Sequence, residues 1–154
     1  MMKEQTTFDF RDANGPVPAH QHPYGGGWVA DSAFVADTVY IGRNCTVRGT
    51  ALISNHVRIT GRCRILGDSR IYGHSRISGD VIVNGSCLID NSRIDGLVWI
   101  GGYAHILNDS LIEGPIDIKG ETVINGSWVT APRGVKVYGF SGSPYIKDKI
   151  YRFR

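Results

Sequence analysis

The chain of 154 residues contains no apolar run of the ~18 residues that a membrane-spanning helix needs. Its opening stretch, MMKEQTTFDF, has no apolar core of the kind a secretory leader carries. Neither a span nor an export signal is expected, and the expected location is the cytoplasm. Cysteine is scarce: Cys45, Cys63 and Cys87 show no CxxC spacing, which argues against a disulfide framework and a structural zinc site. There is no Gly-rich phosphate loop and no nucleophile elbow. HQH could set His20 and His22 on one side of an extended segment, but no third ligand accompanies them, so no metal site is expected. Lysine is missing from residues 43–93, which nevertheless hold eight arginines and only three aspartates, a local charge of about +5. Arginine without lysine points to bidentate or stacking contacts; the alternative is a solvated strand surface.

What the sequence does have is a period. In RITGRCRILGDSRIYGHSRISGD, residues 58–80, Arg-Ile recurs four times at a spacing of six. Stepping by six from Val29 meets only Val or Ile through Ile89. A five-residue step then leads to Ile94, sixes lead to Ile124, and a second five reaches Val129, followed by Val135. Two residues before each such position the side chain is usually small or β-branched, as at Ala33, Cys45, Ala51, Cys63, Ser69, Ser75 and Cys87. Two residues after it Gly recurs, as at Gly49, Gly61, Gly67, Gly73 and Gly79, where a corner needs a positive φ. A period of six fits no helix face; it fits a short strand plus a corner, with side chains two apart on one side.

These residues resemble the left-handed parallel β-helix of hexapeptide-repeat proteins, over about residues 27–135. The resemblance implies an all-β triangular solenoid with 18 residues per coil, about six coils and a height of roughly 29 Å. No step exceeds six, so no extruded loop is expected between 27 and 135. Residues 1–26, rich in Pro and Gly, and residues 136–154, ending in the alternating YIKDKIYRFR, are expected to cap the exposed ladders at the two ends. The three cysteines fall at small interior positions and are expected to be buried free thiols, with Cys45 and Cys63 stacked.

The residue before each interior Val or Ile faces outward, and only positions about 18 apart share a face. Arg58, Arg76 and Arg93 therefore form a vertical ladder with rungs ~4.8 Å apart, beside a corner carrying His56 and His74. Stacked guanidiniums with few acidic neighbours favour an anion such as a phosphate or carboxylate. The alternative is turn-lining histidines beside solvated arginines that pair with Asp80 and Asp95. Arg64 and Arg70 fall on other faces. A second column, Phe34, Leu52, Leu88 and Val123 with Tyr72 and Leu107, around Arg70 and His105, is apolar enough to mark an interface. The resemblance implies a parallel homotrimer, which this strip would join. Trp28 and Trp99 face outward from the remaining column.

Three functions are compatible with this pattern. Within the hexapeptide-repeat proteins, VWIGGYAHIL, residues 98–107, is similar to a coil of sugar O-acetyltransferases. That resemblance implies a coenzyme A-dependent acyltransferase with acetyl-coenzyme A as cofactor, His74 as general base, and cofactor contacts near Trp99, Gly101 and Gly102. LNDS replaces the Pro-Gly pair usual after that coil, and the loop that closes the acceptor site has no counterpart here. The texture of the repeats resembles more closely uncharacterised bacterial and phage-type β-solenoid proteins. The reading adopted is a non-catalytic homotrimeric solenoid, without cofactor or metal, that recognises an anionic ligand (a nucleotide, an acidic sugar or a protein partner) through His56, Arg58, His74, Arg76 and Arg93. A structural or nucleic-acid-binding role is the third option. Rungs of ~4.8 Å do not match the ~3.4 Å phosphate repeat of a strand, so tracking of a duplex is not expected.

Overall fold

Strands of two or three residues cannot persist alone, and here each is held by the strands stacked next to it in neighbouring coils. The computed structural model describes residues 6–131 in full and, beyond them, the backbone of Val135–Gly139, Tyr145–Lys147 and Ile150–Arg152. The chain is an all-β parallel solenoid of about six turns with a repeat of ~18 residues. No helix among the described residues is long and apolar enough to cross a membrane.

Three faces follow from the pairing. On the first, the outward residues run Trp28, Thr46, Arg64, Ile82, Trp99, Asp117. On the second they run Phe34, Leu52, Arg70, Leu88, His105, Val123. On the third they run Tyr40, Arg58, Arg76, Arg93, Leu111, Trp128. Between outward positions lie the Val and Ile of the hexad, which are fully buried from Val29 to Val129 except Val35. Val35 is partly exposed because its strand, Phe34–Val35, is the first rung of the second face. Arg76–Val83 and Arg93–Ile100 are single strands that run from the third face onto the first around Gly79 and Gly96. Those glycines have φ of 89° and 103°, and a Cβ at Gly79 would lie 2.5 Å from the Gly96 carbonyl oxygen. That corner therefore closes only with glycine.

The small interior positions form three further columns. Cys45 and Cys63 stack in one and Cys87 lies in another; all three are buried free thiols. The third column is Val39 and Val57, then buried Ser75, Ser92, Ser110 and Ser127. After a six-residue step the hydroxyl donates three residues back, from Ser75 to the Tyr72 carbonyl at 2.8 Å and from Ser110 to that of Leu107 at 2.6 Å. After a five-residue step it donates two residues back, from Ser92 to Asp90 and from Ser127 to Asn125. The backbone N–H of each shortened step then donates to the hydroxyl below it, Ser92 to Ser75 and Ser127 to Ser110, both at 3.2 Å. The missing residue is absorbed without an orphaned buried donor.

The N-terminal segment forms a hairpin. β1 (Thr7–Asp9) pairs antiparallel with β2 (Pro16–Gln21), and β2 pairs antiparallel with β3 (Trp28–Ala30), the first rung of the first face. His20 and His22 do not share a side. The chain turns between His22 and Gly27, exposed His20 sits 2.8 Å from Asp31, and buried His22 donates through Nε2 to the Val39 carbonyl at 2.7 Å. Among the described residues no group of three His, Cys, Asp or Glu is placed to hold a metal.

At the other end the hexad phase changes. Val135 pairs with Ile116, and the residue in register with buried Ile118 is Val137, so the step from Val129 is eight rather than six. The expectation of no step longer than six therefore fails at this last turn. Tyr145–Lys147 and Ile150–Arg152 add a parallel rung to the second and third faces, so the tail extends the coil. What caps that end lies outside the described residues.

Candidate functional site

The ladder exists as a register. Arg76 lies directly between Arg58 and Arg93 on the third face, all three exposed. Each guanidinium stem rises beside an Ile that is wholly inside, so the sequence that builds the core also fixes the row. Tyr40 closes the lower end, and the Arg58 guanidinium lies over its ring, 4.2 Å from the centroid. Leu111 and then exposed Trp128 continue the row upward.

The two histidines meet at the adjoining corner. The rings of His56 and His74 stack at 5.3 Å with an interplanar angle of 19°. Positive φ at Asn55 (65°) and Gly73 (68°) turns the chain so that each imidazole projects from the edge. One coil higher the corner is shortened, and Asn91 alone replaces the pair of residues found below; its Oδ1 accepts the His74 backbone N–H at 2.9 Å. A recess of about 300 Å3 opens at this level, lined by His74, Arg76, Asn91, Arg93, Asp109 and Trp128 among others. Asp109, with φ of 61°, is its one lining carboxylate and was not singled out from the sequence. Its signal was the LNDS departure itself.

Asp80 and Asp95 do not neutralise the ladder. Asp80 accepts a two-pronged hydrogen bond from Arg62, at 2.9 and 3.0 Å, because both project from one corner a coil apart. Asp95 accepts from the Ser78 hydroxyl at 2.8 Å and from the Gly96 N–H at 3.0 Å. Among the described residues Arg48 pairs with Asp12 and Arg62 with Asp80, His20 lies against Asp31, and no carboxylate forms an ion pair with Arg58, Arg76 or Arg93.

His74 and Trp99 lie on different parts of one chain. His74 is at the corner between the second and third faces. Trp99 is on the first, where the Lys119 ammonium sits 4.1 Å from its ring centroid. Gly101 is buried on the first face and Gly102 turns the next corner with φ of 69°.

The apolar strip is in register on the second face. Phe34 is 57 % exposed, while Leu52, Leu88, Leu107 and Val123 are half-buried. Leu97 and Tyr103, both 64 % exposed, lie at corners, off the outward positions that make up the strip. Comparison of the chain with protein-family models, with curated proteins and with solved structures returns no match.

Proposed function

We propose that the protein is a non-catalytic binding module that takes a compact polyanion, such as the phosphates of a nucleotide or an acidic sugar, on the Arg58–Arg76–Arg93 ladder. The observation that carries this reading is three arginines on consecutive rungs with no carboxylate paired to any of them among the described residues. Like charges ~4.8 Å apart repel, and a phosphate group bridging two rungs reverses that cost. His74 and His56 stand at the rim as further donors. A carboxylate, Asp109, shares the recess above and biases the anion toward the lower rungs. Three such modules joined through the second face would present three ladders on a rigid frame.

Pyrophosphate tests the reading by calorimetry. One charge-assisted contact contributes roughly 1.5–3 kcal/mol, so Arg76→Ala should weaken binding by about tenfold or more. Arg70→Ala, on the second face and lining neither recess, should leave pyrophosphate affinity unchanged. Equal affinities in the two variants, or no heat at all, would reject the ladder as a site.

A further inference from the structure

The N-terminal hairpin does more than cover the first rung. Phe8 stacks on Trp28, 4.5 Å between centroids and 15° between planes, and Phe10 packs edge-on against Phe8 at 4.8 Å and 75°. Asp12, just beyond β1, forms an ion pair with Arg48, which projects from the first face one rung above Trp28. The Asn14 backbone N–H donates to the Asp12 carboxylate at 3.1 Å and holds that carboxyl below its ordinary range, which keeps it charged for the contact with Arg48. The hairpin is thus strapped onto the outside of the first face at two points.

Between the strap and the preceding corner lies a cleft of about 770 Å3. This is within the size of small-molecule sites. Its floor is Thr46, Arg64 and Ile82; Phe8 and Phe10 form one side, and Arg43, Arg62 and Leu97 the other. The two acids at the cleft are engaged. Asp80 is held by Arg62, and Asp9 accepts the Arg11 backbone N–H at 2.8 Å. Among the described residues no carboxylate forms an ion pair with Arg43 or Arg64. A cleft with aromatic and aliphatic surface on one hand and three guanidiniums outside any ion pair among the described residues, Arg11, Arg43 and Arg64, on the other matches a ligand with the same two halves.

We propose that this cleft is a second binding site, independent of the ladder, for a flat aromatic ring carrying a phosphate. The ring would lie against Phe10, Ile82 and Leu97, and the phosphate would be held by Arg43 and Arg64. Guanidiniums suit both halves, since they pair with phosphate oxygens and stack on ring faces. No bond is made or broken; the strap walls one side of the ligand.

Adenosine 5′-monophosphate, ribose 5-phosphate and adenosine are the probes, each titrated calorimetrically into the full chain. The monophosphate should bind more tightly than either half alone. Arg64→Ala and Arg43→Ala should each weaken it at least tenfold, and Phe10→Ala should weaken it while leaving ribose 5-phosphate unaffected. Arg76→Ala, on the ladder, should leave the Arg64- and Phe10-dependent binding of the monophosphate in place. Both arginines are exposed, so thermal melts of the variants should match wild type. The proposal is overturned if adenosine 5′-monophosphate does not bind, if adenosine binds equally well, or if its affinity falls in Arg76→Ala but not in Arg64→Ala.

Discussion

Cys87 shows what a single interior position imposes. Its sulfur approaches the Asn84 and Gly102 carbonyls at 3.5 and 3.8 Å, the same pair of partners that Ser69, one coil below, meets at 3.0 and 3.1 Å from Leu66 and Gly85. Burial pushes the Cys87 thiol up to about 11 from an ordinary 9.0. The unfolded chain therefore releases this proton first as pH rises, and the native state binds more protons between the two values. The contribution is fully present below about pH 9 and is lost on the way to about pH 11, a loss of roughly 2–3 kcal/mol. Cys87→Ser, which keeps the hydrogen-bond pattern of Ser69, should match wild type near pH 7 within about 1 kcal/mol and lose less stability at pH 11. Urea unfolding of both proteins across pH 7–11 checks this, and parallel profiles would refute it. Cys63 moves in the same direction, through its hydrogen bond with Cys45 and then burial.

Among elements, the shortened corners set the sharpest constraint. A five-residue step keeps its register only because the serine below accepts the stranded N–H. Ser75→Ala and Ser110→Ala should each leave a buried donor without a partner and cost about 1–3 kcal/mol. Ser69→Ala removes an equally buried hydroxyl, but its column already contains Ala51 and Ala104, and no backbone N–H depends on it, so the cost should be smaller. Denaturant midpoints of the three variants rank them, and equal losses would mean that the serine pairs are incidental to the shortened steps. The same shortening replaces the corner pair above His74 with Asn91 at the level of the recess beside Arg76 and Arg93.

At the scale of the whole molecule, the second face is the proposed seam between copies. Its row runs Phe34, Leu52, Arg70, Leu88, His105, Val123, with Tyr72 and Leu107 one pleat across. An apolar row of this length, interrupted by a single arginine and a histidine, is surface that association would cover. Light scattering on a sizing column should give three times the 16.9 kDa chain mass. Leu52→Arg with Leu88→Arg should give a monomer or an aggregate, because both substitutions put charge on that row without touching the interior Ile positions. A monomeric wild type would remove this assignment while leaving the ladder and the cleft to be judged on their own titrations.

The sequence by itself determined everything that repeats. In a solenoid each residue's neighbours lie 17 or 18 positions away, so tertiary contact reduces to counting. The buried Val and Ile columns, the stacked Cys45 and Cys63, the Arg58–Arg76–Arg93 ladder and the His56–His74 pair were all legible for that reason. The tertiary structure decided what has no period. Nothing in the spacing of Phe8, Asp12 or His22 says that they settle on Trp28, Arg48 and Val39, because those contacts depend on how a hairpin folds back over a face. The cleft above Thr46 and Arg64 exists only through that fold-back, and counting could place Arg64 on the first face without showing that it lines a cavity. Arg62 and Asp80, 18 residues apart at one corner, were within reach of counting, whereas the eight-residue step to Val137 was fixed in three dimensions, where strand pairing overrides the hexad count.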